Sequence, residues 1–175
     1  MFKDRENRPS FSWAMLGNVE AGRPNLGTTT DVSVYRLMQF TLRDVLITEL
    51  GVDKANEIFY RAGKTAGQHF YEKLITNRES FNEFVAQLQD LLKSLRIGIL
   101  RVERSDLEAL SFTMTVAEDL DCSGLPVCDE EICTYDEGFI AGLLLAHTGV
   151  EFNVKEVDCW CSGDRVCRFE ARRQM

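Results

Sequence analysis

The chain has 175 residues, 45% of them hydrophobic and 27% charged, which suits one globular domain with its own core and argues against wholesale disorder. Its net charge of −8 and pI near 4.9 disfavour direct nucleic-acid binding and adhesion to anionic membranes, both of which need a basic footprint. The apolar run Phe139 to Ala146 is about 10 residues too short to span a bilayer, and Met1-Phe-Lys-Asp-Arg-Glu-Asn-Arg does not read as a secretory signal. The expectation is a soluble cytoplasmic protein.

Residues 1–30 are polar and broken by Gly17, Gly22, Pro24, Asn25 and Gly27, and read as a lead-in with at most a short strand near Phe11–Leu16. The rest, 31–175, reads as a single domain. Asp31 caps a helix carrying Val34, Leu37, Met38, Leu42, Val45 and Leu46, and Gly51 ends it. A second helix runs from Asp53 to about Ile75 on the stripe Ile58, Phe59, Ala62, Ala66, Phe70 and Leu74. A third covers Glu79 to about Leu95 through Phe81, Phe84, Val85, Leu88, Leu91 and Leu92. All three stripes are expected to be core. From Ile97 the period becomes that of strands: Ile97 to Val102, then Leu110 to Val116. A loop with Gly124, Pro126 and an acidic run precedes a helix over 134–148. Two strands, Glu151 to Cys161 and Val166 to Arg172, are joined by the turn Ser162-Gly163-Asp164-Arg165. The order predicts an α+β fold, an antiparallel sheet packed against helices.

All six cysteines, Cys122, Cys128, Cys133, Cys159, Cys161 and Cys167, fall in the last third of the chain. Clustered thiols in a reducing compartment point to a metal site or redox chemistry rather than to disulfides. The final hairpin brings Cys159 and Cys167 together, with Cys133 at the start of the last helix and Glu156 three residues before Cys159. On a regular strand Glu156 and Cys159 face opposite ways, so both reach one ion only if the strand bulges; otherwise Cys161 replaces Glu156.

Glu131-Ile-Cys-Thr-Tyr-Asp-Glu-Gly-Phe-Ile-Ala-Gly, Lys155-Glu-Val-Asp-Cys and Gly163-Asp-Arg-Val-Cys-Arg-Phe together resemble the 4-vinyl reductase domain family, also described as predicted hydrocarbon-binding proteins. The likeness is strongest over about residues 120–170. The resemblance implies a fold similar to small TRAPP subunits, dimerisation through helices near the N-terminus, and a zinc ion held by Cys133, Glu156, Cys159 and Cys167 on a bulged strand. Cys122, Cys128 and Cys161 lie outside that pattern; they could form a second site, supply an iron–sulfur cluster or act as redox-sensitive neighbours of the zinc. Phenol sensors of the family anchor the ligand hydroxyl with a His and a Trp. His69, His147, Trp13 and Trp160 do not fall at matching places, so an apolar or lipid-like ligand is expected here rather than phenol.

The leading reading is therefore a sensor or regulatory domain with structural zinc, binding a hydrophobic or aromatic small molecule and forming a homodimer that passes its signal to a downstream protein. The expected pocket lies between helices and sheet, among Phe70, Phe112, Met114, Phe139 and Leu143. Gly63-Lys-Thr-Ala-Gly67 and Gly138-Phe-Ile-Ala-Gly142 suit close helix–helix approach, within one chain or between two. The alternatives are a cysteine-based redox sensor or iron–sulfur protein and, with less in its favour, a reductase accessory subunit. No GxGxxG fingerprint or nucleophile–base pair supports catalysis, and Asp136 and Glu137 fit the charging of a helix's first turn.

Overall fold

The computed structural model describes residues 11–128 and 130–174. A 3-10 turn over Trp13–Leu16 replaces the short strand expected there, and a one-turn helix follows, α1 (Val19–Gly22). Then come α2 (Val32–Leu50), α3 (Val52–Leu74), α4 (Phe81–Ser94), β1 (Ile99–Asp106), β2 (Ser111–Ala117), α5 (Thr134–Thr148), β3 (Phe152–Asp158) and β4 (Cys167–Arg173). The α+β class and the order of elements agree with the sequence reading. Local signals set the ends. The Asp31 carboxylate accepts from Ser33 N–H at 2.8 Å to start α2, and Gly51, at φ +81°, separates α2 from α3. Ser80 and Glu83 form a capping box at α4, with Glu83 N–H donating to Ser80 Oγ at 3.2 Å.

The four strands form one antiparallel sheet in the order β1-β2-β4-β3. Burial alternates along β3 and β4, so one face carries Phe152, Val154, Glu156, Cys167, Phe169 and Ala171 into the core. Helix α4 packs against β1, and α5 lies against β3 and β4 with α3 behind it. Phe84, Phe112, Phe169 and Ile75 are fully enclosed, and Phe81 stacks on Phe112 at 4.6 Å.

The α3–α5 contact is a backbone-on-backbone seam. A methyl built on Gly63 would stand 2.0 Å from Tyr135 O, and one on Gly67 would stand 2.1 Å from Phe139 O. From the other side, methyls on Gly138 and Gly142 would meet Tyr60 O at 2.0 Å and Lys64 O at 2.1 Å. The two glycine pairs singled out in the sequence thus face each other within one chain, where only hydrogen fits.

Helix α2 departs from expectation. Its stripe is not core: no residue of α2 is buried, and Val34, Leu37, Met38, Leu42 and Val45 are between 50% and 66% exposed. The spacing identified an apolar face correctly, but spacing does not say what covers it. Among the described residues, no helix is long and apolar enough to cross a membrane.

Candidate metal centre and cavity

Strand β3 ends at Asp158, not at Cys161 as the alternation suggested. The chain instead tightens into a 3-10 turn over Trp160–Ser162, where Cys159 N–H donates to Ser162 Oγ at 3.0 Å. Just before it, the β3–β4 register slips between Glu156 and Asp158, Glu156 pairing with Phe169 and Asp158 with Arg168. Val157 is the extra residue of this bulge. It turns both Glu156 and Cys159 inward, 1% and 0% exposed, as the sequence spacing required.

Four buried thiols then converge from four segments. Cys133 is the N-cap residue of α5, Cys159 follows the bulge, Cys167 opens β4, and Cys122 lies in the loop after β2. Their sulfurs all lie within 4.8 Å of one another; Cys133 Sγ is 3.9 Å from Cys159 Sγ and 3.7 Å from Cys167 Sγ. A tetrahedral zinc with bonds of about 2.3 Å spaces its sulfurs at roughly 3.8 Å, so the donor set fits such an ion. The sulfurs share one negative charge unevenly. The Cys159 thiol is pulled far down by S–H groups of Cys122, Cys133 and Cys167, while Cys133 and Cys167 are pushed far up, foremost by their contact with Cys122.

Glu156, implied as a ligand by the resemblance, stands beside this set. Its Oε2 accepts from Cys133 N–H at 3.0 Å, and its Oε1 is buried with no partner. Burial pushes its carboxyl up to about 8. Glu137 supports it from α5, accepting from Glu156 N–H at 2.8 Å and from Lys155 Nζ at 3.1 Å. Cys128 and Cys161 are outside the four-thiol group. Cys128 is exposed and its N–H donates to Cys161 O at 2.9 Å; Cys161 is buried, and burial raises its thiol to about 12. Because residues 160–162 form a turn, the alternative set that substitutes Cys161 for Glu156 is not assembled.

The sequence pattern gave no reason to prefer Cys122 over the other extra thiols; its place comes from the loop around it. Asp119 Oδ1 accepts from the N–H groups of Asp121 at 2.8 Å and Cys122 at 3.1 Å. Helix α2 holds the same loop from outside. Arg36 donates to Leu120 O at 2.8 Å and Ser123 O at 2.9 Å, while Tyr35 and Gln39 donate to the two Asp121 carboxylate oxygens at 2.8 and 2.7 Å.

Two cavities adjoin this region. One, of about 40 Å³, is apolar and lies between α4, α5 and the sheet against Phe84, Leu88, Met114, Phe139 and Leu143. The other, of about 900 Å³, opens to solvent beside α3 and is bordered by Trp13, Ile58, Ala62, Phe70, Asp136 and Phe139. Of the residues expected to form a pocket, Met114 and Leu143 border the small cavity, Phe70 the large one and Phe139 both. Phe112 borders neither and is core. The large cavity has the size and mostly apolar wall of a small-molecule site. The small side chains Ala62 and Ala66, which the sequence reading assigned to a core stripe, leave room for it. Asp119, Asp121 and Asp136 come together at its inner end, and desolvation pushes all three carboxyls up, Asp119 to about 6.

Comparison with known proteins accords with this architecture. Residues 112–173 match the 4-vinyl reductase domain. Two uncharacterized proteins of Methanocaldococcus jannaschii, MJ1642 and MJ0150, are each 26% identical, over 84% and 82% of this chain and 80% and 76% of their own lengths. Among solved structures, the phenol-responsive sensory domain of the transcription activator PoxR, determined with phenol, superposes with a TM-score of 0.65 at 17% identity, over 84% of this chain and 76% of that one. A vinyl-4-reductase family protein from M. jannaschii gives 0.61 at 16% identity, over 96% and 100%. Subunit 3 of the trafficking protein particle complex from Naegleria fowleri, covalently bound to palmitic acid, gives 0.65 at 11% identity, over 82% and 95%. At these identities the structural likeness is one of fold.

Proposed function

With residues 112–173 being a 4-vinyl reductase domain, we propose that the chain is a small-molecule-binding sensor or regulatory domain whose C-terminal lobe is organised by a metal ion. The observation that carries the ligand-binding reading is the cavity of about 900 Å³ bordered by Trp13, Phe70 and Phe139, in a fold shared with a phenol-responsive sensory domain. A panel of aromatic and apolar compounds tests it by thermal shift: a ligand that binds only the folded state raises the melting temperature. No shift across the panel would count against the reading.

The metal we propose is one zinc ion per chain, held by Cys133, Cys159 and Cys167 with Cys122 as the fourth donor. Zinc would join the four segments and supply the positive charge that makes buried thiolates favourable. Four protein donors leave no open position, so the ion's role is structural. Elemental analysis of Cys122→Ala beside Glu156→Gln separates this set from the one with Glu156: zinc is lost in the first and kept in the second. Iron in place of zinc would point to a cluster.

The exposed stripe on α2 supports a homodimer. Five large apolar side chains along a helix of about 28 Å form a continuous surface of the kind that partners cover. Light scattering is expected to give the mass of two chains for the wild type and of one for Leu37→Asp/Leu42→Asp.

A further inference from the structure

The large cavity has apolar walls but an acidic end, and the hydrogen bonds there are unevenly distributed. Asp121 has both carboxylate oxygens filled, by Tyr35 Oη and Gln39 Nε2, and Asp119 Oδ1 is filled by two backbone N–H groups. Asp136 Oδ2 is buried and accepts from nothing. A buried acceptor left unmade is costly, and two neighbouring carboxylates add negative potential at that point. Arg61, the one Lys or Arg bordering the cavity among the described residues, is largely exposed and lies 3.6 Å from Glu57. The site thus lacks a donor, and the charge around it favours a cationic one.

Building on the ligand-binding reading above, we infer that this cavity takes an amphipathic amine, its ammonium head donating to Asp136 Oδ2 and its aromatic or branched apolar body lying among Trp13, Ile58, Ala62, Phe70 and Phe139. The length of the cavity separates the two ends of such a ligand. A charge-assisted hydrogen bond fixes the head, and burial of apolar surface holds the body. A neutral alcohol of the same shape keeps the second contribution and loses most of the first.

The test is calorimetric titration of the zinc-loaded protein with 4-phenylbutylamine and with 4-phenylbutan-1-ol. The amine is expected to bind at least about tenfold more tightly, the scale of one hydrogen bond to a charged group. Asp136→Asn removes that preference and leaves the alcohol unchanged, whereas Ala66→Phe, which fills the wall opposite the head, weakens both. Equal affinities in the wild type, a preference that survives Asp136→Asn, or amine binding indifferent to Ala66→Phe would each overturn the inference. If Asp136→Asn does not fold, the wild-type comparison decides the head chemistry and Ala66→Phe decides the place. Tight binding of the alcohol alone would overturn the amine head and leave a small-molecule domain. Binding of neither compound would overturn this inference without touching the thermal-shift panel, which tests the broader reading by itself.

Discussion

Helices α2 and α3 adjoin in sequence, are nearly the same length and each carry an apolar stripe, yet their surroundings differ completely. Helix α3 is locked against α5 along a seam so close that carbonyl oxygens occupy the places where side chains would begin. Helix α2 leaves its stripe uncovered and joins the domain chiefly through the polar residues Tyr35, Arg36 and Gln39, which grip the loop bearing Cys122. An apolar stripe is a demand for cover. Glycines show where the chain meets that demand internally; their lack on α2's stripe fits cover supplied from outside.

The sharpest way to break this contrast is to add one carbon to the seam. In Gly67→Ala the new methyl meets the Phe139 carbonyl at 2.1 Å, backbone against backbone, so the helices must part. The expected loss is about 3 kcal/mol or more in denaturant unfolding, at the upper end for overpacking because no side chain can swing away. Next in size is metal removal. Stripping the ion is expected to lower the melting temperature and to raise hydrogen exchange at residues 119–128 and 157–168, while α3 and α5 stay protected.

A pH series on the metal-free protein gives a smaller effect of defined sign. Glu156, held near 8 when folded against an ordinary value of 4.5, binds a proton that the unfolded chain has already released. Its contribution is therefore fully present below about pH 4.5 and is lost as pH rises through 8, with Asp119 adding the same trend up to about 6. Thermal melts from pH 5 to 8 should show falling stability without metal. Metal affinity rises over the same range, because the thiols must ionise to bind. The smallest expected effect is on α2: Leu37→Asp should change the stability of an isolated chain by no more than about 0.5 kcal/mol. What it should abolish is the dependence of melting on protein concentration.

Much of this was legible in the sequence because local chemistry decides it. Helix α5 runs over Thr134–Thr148 as the pattern predicted, with Gly149 ending it in the left-handed region at φ +73°. The bulge at Val157 was implied by a conflict of parity between Glu156 and Cys159, and the register slips there. The remainder depends on long-range contacts. Cys122 reaches the other thiols because Asp119 and a helix more than 80 residues away shape its loop. The strand that should have carried Cys161 gives way to a turn closed by Ser162. The outward-facing stripe of α2 looked, by period alone, like the inward-facing ones of α3 and α4.

The four thiols also differ in how firmly each is placed before any ion arrives. Cys133, Cys159 and Cys167 are positioned by a helix end and a strand pair, so the entropy of bringing them together is spent when α5 and the hairpin fold. Cys122 belongs to a loop 11 residues before Cys133, and its freedom is lost only as that loop closes. Ion capture thus becomes a seat of three followed by a latch of one, and the latch is held by α2.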